Sequence, residues 1–69
     1  MLTVSAQVKQ TLASLKGVRA TLETFAQIEQ NNEAREAFSS GAREIGLVIG
    51  DLEKRVGLLE FQEPQYKGF

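Results

Sequence analysis

Gln30-Asn31-Asn32 decides the fold. It is the clearest polar cluster inside a chain whose apolar spacing is otherwise helical from Thr3 to Glu63. Asn tolerates left-handed and turn backbone and also caps helices, so Asn31 and Asn32 suit both the end of one helix and the start of another. Upstream, Val4, Val8, Leu12, Leu15, Val18, Leu22 and Phe25 recur at steps of three or four, which at about 100° per residue gathers them into one broad stripe. Thr3 or Ser5 is placed to cap that segment. Downstream, Ala34, Phe38, Ala42, Ile45, Ile49, Leu52, Val56 and Leu59 form a second stripe, with Val48 at its margin. Glu33 and Glu36 suit the start of this helix, Lys54 and Arg55 suit its C-terminal half, and Pro64 ends it.

The spacing predicts a helix over about 4–29, a turn at 30–32, a helix over about 33–62 and a tail at 63–69, all in one domain of 1–69. Each helix is roughly 40 Å long at 1.5 Å per residue, and so short a connection forces antiparallel neighbours. The fold class is therefore all-α, an antiparallel two-helix hairpin. Pairing about the turn sets Phe25 near Phe38, Val18 near Ile45, Leu12 near Leu52, Val8 near Val56 and Val4 near Leu59. Apolar meets apolar along the whole length, so local pattern and global fold agree.

Composition narrows the chemistry. The 69 residues carry eight Lys+Arg against nine Asp+Glu, a net charge of −1 that builds no strong field for nucleic acid or anionic membrane. Without Cys or His, the chain is excluded from disulfide frameworks, zinc fingers, thiol catalysis and imidazole acid–base work. No run approaches the 18 or so apolar residues of a membrane span, and Met1 to Gln10 lacks the basic and apolar regions of a secretory leader. The Glu-x-x-His pairs of di-iron bundles are impossible here. Glu23, Glu29, Glu36, Glu44 and Glu53 scatter around the helices, better suited to solvated faces with partners such as Arg19–Glu23 and Asp51–Arg55 than to a metal site. No phosphate loop follows a strand, because no strand is predicted. The expectation is a non-enzyme with no cofactor. Lys9 and Lys16 share a face with Glu23 and no aromatic interleaves with them, so nucleic acid is not an expected ligand either.

Assembly is the more informative question. Two helices share a single contact line, and chains this short bury only about 60% of their unfolded surface. Two hairpins packed face to face into a four-helix bundle would cover the remainder, so a homodimer is expected. Its core would be Val8, Leu12, Leu15, Val18, Leu22, Phe25, Phe38, Ile45, Ile49, Leu52, Val56 and Leu59. Away from these lie Ala6, Ala13, Gly17, Ala20 and Thr24 on the first helix, and Ser39, Gly46, Gly50 and Gly57 on a flank of the second. Small side chains let another helix approach closely, and each interior Gly costs roughly 1 kcal/mol against Ala. Ala13, Gly17, Ala20, Gly46 and Gly50 are therefore a candidate partner surface, although Ala, Ser and Thr also suit a merely solvated face. Leu47, Leu58 and Phe61 point away from the core stripe, as isolated exposed apolar residues often do. Arg19 is the one charge on the core side, with Glu23 or Glu44 within reach of a snorkelling side chain. In the tail, Tyr66 and Phe69 either dock on a partner or fold back over the open end of the bundle.

A family resemblance adds to this. Thr3-Val4, Gln7-Val8-Lys9-Gln10-Thr11-Leu12-Ala13, Leu15-Lys16-Gly17 and Thr21-Leu22-Glu23-Thr24-Phe25-Ala26 resemble the first half of the domain of unknown function 1657. The ending Glu63-Pro64-Gln65-Tyr66-Lys67-Gly68-Phe69 is similar to that family's tail. The resemblance covers the whole chain and is strongest at its two ends. It implies a small soluble protein of endospore-forming bacteria, cytoplasmic in the forespore or spore interior and peripheral to the spore inner membrane. It also implies a gene lying beside those for spore inner-membrane proteins, including dipicolinate-channel components. The function expected on this basis is a homo-oligomeric structural or adaptor subunit supporting a spore membrane protein complex in resistance or germination, without direct membrane insertion. The alternative is a small-ligand or ion-binding bundle with a polar cavity near Arg19 and Glu44.

Overall fold

Thr3 starts the first helix. Its backbone is extended (φ −67°, ψ 165°), and its hydroxyl accepts a hydrogen bond from the Ala6 amide at 3.1 Å, satisfying one of the orphan donors of a helix N-terminus. Of the two expected caps, Thr3 is the one used, while Ser5 lies inside the helix. The computed structural model describes residues 3–62, and within them α1 spans Val4–Ile28 and α2 spans Asn32–Gln62. Both elements are helical and no strand is present among the described residues. Tyr66 and Phe69, with the rest of the tail, lie outside them, so the expectation of docking or folding back falls outside the described residues too.

The reversal between the helices is held by five side chains, those of Phe25, Glu29, Asn31, Arg35 and Phe38. α1 stops one residue before the sequence boundary because Glu29 turns extended (φ −74°, ψ 133°), its N–H still bonded to the Phe25 carbonyl at 2.9 Å. The Glu29 carboxylate then accepts from the amides of Gln30 (3.0 Å) and Asn31 (3.1 Å). Arg35 reaches back and donates from Nε (3.1 Å) and Nη2 (3.0 Å) to the Glu29 carbonyl. Asn31 caps α2, its Oδ1 accepting from the Ala34 amide at 2.9 Å. Inside the bend, Phe25 and Phe38 meet with ring centroids 5.4 Å apart and planes tilted by 59°, an edge-biased arrangement that aromatic quadrupoles favour.

Along the contact line Leu12, Ile49 and Val56 are buried, with Val8, Leu15, Ile45 and Leu52 packed around them. Ala42 is buried as well. This is the expected register: residues from opposite ends of the sequence come together as the turn predicts. At the end remote from the turn, Ser5 is fully buried and donates to Glu60 Oε2 at 3.3 Å, and Lys9 pairs with the same oxygen. Nearer the middle Lys16 pairs with Glu53 at 3.1 Å. The hairpin measures 48 × 19 × 12 Å, one helix layer thick in its thin direction.

The cap assignment makes a measurable distinction. Asn31→Ala removes the acceptor for the Ala34 amide and is expected to cost about 1 kcal/mol. Asn32→Ala sits inside the helix and is expected to be neutral or slightly stabilising, because Ala is the better helix former. Thermal melts followed by helical circular dichroism compare the two.

Candidate functional site

A hairpin one layer thick presents two broad faces, and here they differ in chemistry. Relative to Leu12 at the contact line, about 100° per residue sends Val4, Val8, Leu15, Val18 and Leu22 to one side of α1 and Lys9, Ala13, Lys16, Ala20 and Glu23 to the other. On α2, with Ile49 at the contact line, Ala34, Gly41, Ile45, Val48, Leu52 and Leu59 fall on one side, and Ser39, Gly46, Gly50, Glu53 and Gly57 on the other. The Lys16–Glu53 pair fixes which sides coincide: both residues belong to the polar sets, so the polar sets share one face and the large apolar sets share the opposite one.

The expected core residues divide accordingly. Leu12, Ile49 and Val56 are buried, and Val8, Leu15, Leu22, Phe38, Ile45, Leu52 and Leu59 are half-buried. Val18 and Phe25 are not covered within one chain, being 47% and 42% exposed. They stand roughly 120° or more around α1 from Leu12, beyond what a second helix in the same plane reaches. Val4 and Val48 on the same face are similarly wet, at 49% and 50%. Leu47, Leu58 and Phe61 are exposed away from this face, as their spacing implied.

On the opposite face Ala13, Gly17 and Ala20 are exposed and Gly50 is half-buried. Gly46 departs from its expected role as free room for a partner. Arg19 lays its guanidinium over it, and a Cβ there would stand 3.3 Å from Arg19 Cζ and 3.4 Å from Nη1. The expected partners of Arg19 are Glu23 or Glu44; instead its guanidinium lies over Gly46 of α2, where the missing side chain leaves the surface open. The expected Arg19–Glu23 ion pair does not form, while Asp51–Arg55 does, at 2.9 Å. Gly41 similarly accommodates a methyl of Leu22, at 3.4 Å from its missing Cβ. A Cβ at Gly17, Gly50 or Gly57 would meet no neighbouring side chain within 4 Å.

An open cleft of about 290 Å³ beside Arg19 is lined by Glu23, Ser39, Ala42 and Arg43. Glu44 takes no part in it, since two residues of helix carry it to the far side of Ala42. No group of three or more His, Cys, Asp or Glu among the described residues is arranged to hold a metal ion. No helix among them is long and apolar enough to cross a membrane. Glu29 and Arg35, which make the turn, were not singled out by the sequence as a pair. Their spacing of six fits no helical neighbour rule, and they meet only because the chain reverses between them.

Residues 8–56 match the family model for a protein of unknown function, DUF1657. The chain belongs to the DUF1657 family. No curated protein and no solved structure matches it. The DUF1657 match runs from Val8 to Val56, two residues that meet in the core at the end remote from the turn. It thus takes in the turn, both faces and the Lys16–Glu53 pair, and stops short of the Glu60 contacts and the tail.

The glycines supply the test of the small-residue face. Gly17→Ala and Gly50→Ala place a methyl in open space and are each expected to stabilise the hairpin by about 0.5–1 kcal/mol, raising Tm by several degrees in a domain of this size. Gly46→Ala should gain less, because Arg19 must shift. Loss of self-association in Gly50→Ala, seen by light scattering, would instead identify a close helix contact at that face.

Proposed function

We propose that this chain is a non-enzymatic, homo-oligomeric structural or adaptor subunit of the forespore or spore interior. In this reading it supports a complex of spore inner-membrane proteins in resistance or germination, bound peripherally to that membrane. The observation that carries the self-association is the single helix layer with Val4, Val18, Phe25 and Val48 all more than two-fifths exposed along one face. Burying such surface is worth about 25 cal/mol per Å², so water contact there is a standing driving force for assembly. The adaptor role is supported by the outward Leu47, Leu58 and Phe61 and by the small-residue face, which leave room for a second kind of contact. The spore setting rests on the family resemblance.

Light scattering on a size-exclusion column, over a wide concentration range, should give a constant mass of twice 7.6 kDa. A folded monomer at micromolar concentration would remove the oligomer from the reading. Co-purification from spores should recover an inner-membrane protein, and recovery of none would remove the adaptor role.

A second reading is favoured by the cleft beside Arg19, where Arg43 and Ser39 also converge. Two guanidinium groups and a hydroxyl suit an oxyanion, since Arg forks match carboxylate and phosphate, and they outnumber the one opposing charge in the lining, the Glu23 carboxylate. Selective binding to the folded state raises its stability, so a thermal shift with phosphate or a dicarboxylate, abolished in Arg43→Ala, is the outcome that would favour it.

A further inference from the structure

We infer that the hairpin dimerises through the face bearing Val8, Leu15, Val18, Leu22, Ile45 and Val48, laid against the same face of a second copy, with the Lys16–Glu53 face turned outward. This rests on the self-association proposed above and assigns its surface.

The two faces differ in what association would strip of water. The outward face carries Lys9, Lys16, Glu23, Glu53 and Glu60 beside the contact line, with two ion pairs spanning the helices. Covering it would desolvate those pairs, and their attraction in the interior seldom repays that cost. Between the helix axes on the other face the one charged position is Arg19, whose guanidinium leaves it for Gly46 on the outward face, and the next charges stand at its rim, Glu29, Glu44 and Arg55. A charge-depleted centre with a polar rim is the anatomy of a protein interface.

Size and shape select a second copy as the occupant. The hairpin is 48 × 19 Å across its broad faces, a bounding outline that leaves room for the approximately 800 Å² per partner of a stable complex. It is two helices wide, so one helix or an extended peptide would leave a strip of it wet. A second hairpin has the same length, the same width and the same apolar pattern. A two-fold interface uses the same patch twice, and this patch is apolar along its length, so it tolerates that pairing. The product is a four-helix bundle, with Val18, Phe25 and Val48 inside it.

The test compares charge placed on each face of the full chain. Val18 and Val48 are half exposed, so V18E/V48E should leave the isolated hairpin helical, which circular dichroism checks. It is expected to weaken dimerisation by about 100-fold or more, since each interface would then bury unpaired carboxylates. A13E/A20E, on the outward face, should leave the dimer intact. If either variant fails to fold, a covalent readout replaces it. The chain has no Cys, so V18C/V48C should form a disulfide-linked dimer under mild oxidation and A13C/A20C should not. A wild-type dimer broken by A13E/A20E but not by V18E/V48E, or cross-linked only by A13C/A20C, would overturn the face assignment alone. A monomeric wild type would overturn the oligomer itself.

Discussion

Two straight helices touch along one line, and every feature of this hairpin follows from having only that line. An α-helix in a protein core normally buries a stripe 100° or more wide, and both stripes here are of that kind. One neighbour in the plane covers their centres, Leu12 with Ile49 and Val56, and leaves the margins. Both margins fall on the same face, because on each helix the large residues lie in the same rotational sense from the contact line, as the Lys16–Glu53 pair on the other side shows. The result is a sheet of two helices with one apolar and one polar surface, an intermediate between a secondary structure and a domain.

The polar surface supplies what the apolar one does not, a fixed register. Apolar contacts are non-directional, and a ladder of Val, Leu and Ile tolerates a slip of one turn at modest cost. Lys16 with Glu53, and Ser5 and Lys9 with Glu60, allow no such slip without breaking pairs near both the middle and the far end. The turn fixes the near end through Glu29, Asn31 and Arg35. Exposed ion pairs contribute little stability individually. Their role here is to select one alignment among several that would bury comparable apolar area.

Periodicity made the helices, the turn and the pairing of stripes legible, because those depend only on the spacing of apolar residues and on Asn chemistry. The contacts that depend on the reversed chain were not legible in the same way. Glu29 and Arg35 are close only after the chain has folded back, and Lys9 and Glu60 are 51 residues apart. Arg19 shows the difference most clearly. Its wheel position marked it as the charge on the core side, yet local spacing offered Glu23 as its partner. The fold offered a better route across Gly46, visible only once that glycine is known to lie opposite. The candidate surface was legible as a division between large and small residues, while the membership of Gly46 changed for that reason.

The remaining glycines extend the point. Gly41 and Gly46 answer to Leu22 and Arg19 within the chain, so their cost in helix propensity is offset by packing. Gly17, Gly50 and Gly57 have no such neighbour, and each leaves roughly 1 kcal/mol uncompensated relative to Ala. Gly17 and Gly50 lie among the small residues of the outward face. A dimer joined through its apolar faces would present that face twice, once on each side of the bundle, with Ala13 and Ala20 beside Gly17. Close approach of a further helix is the physical use to which such a surface is suited. In the proposed dimer, one face would provide the energy of assembly and the other would provide access.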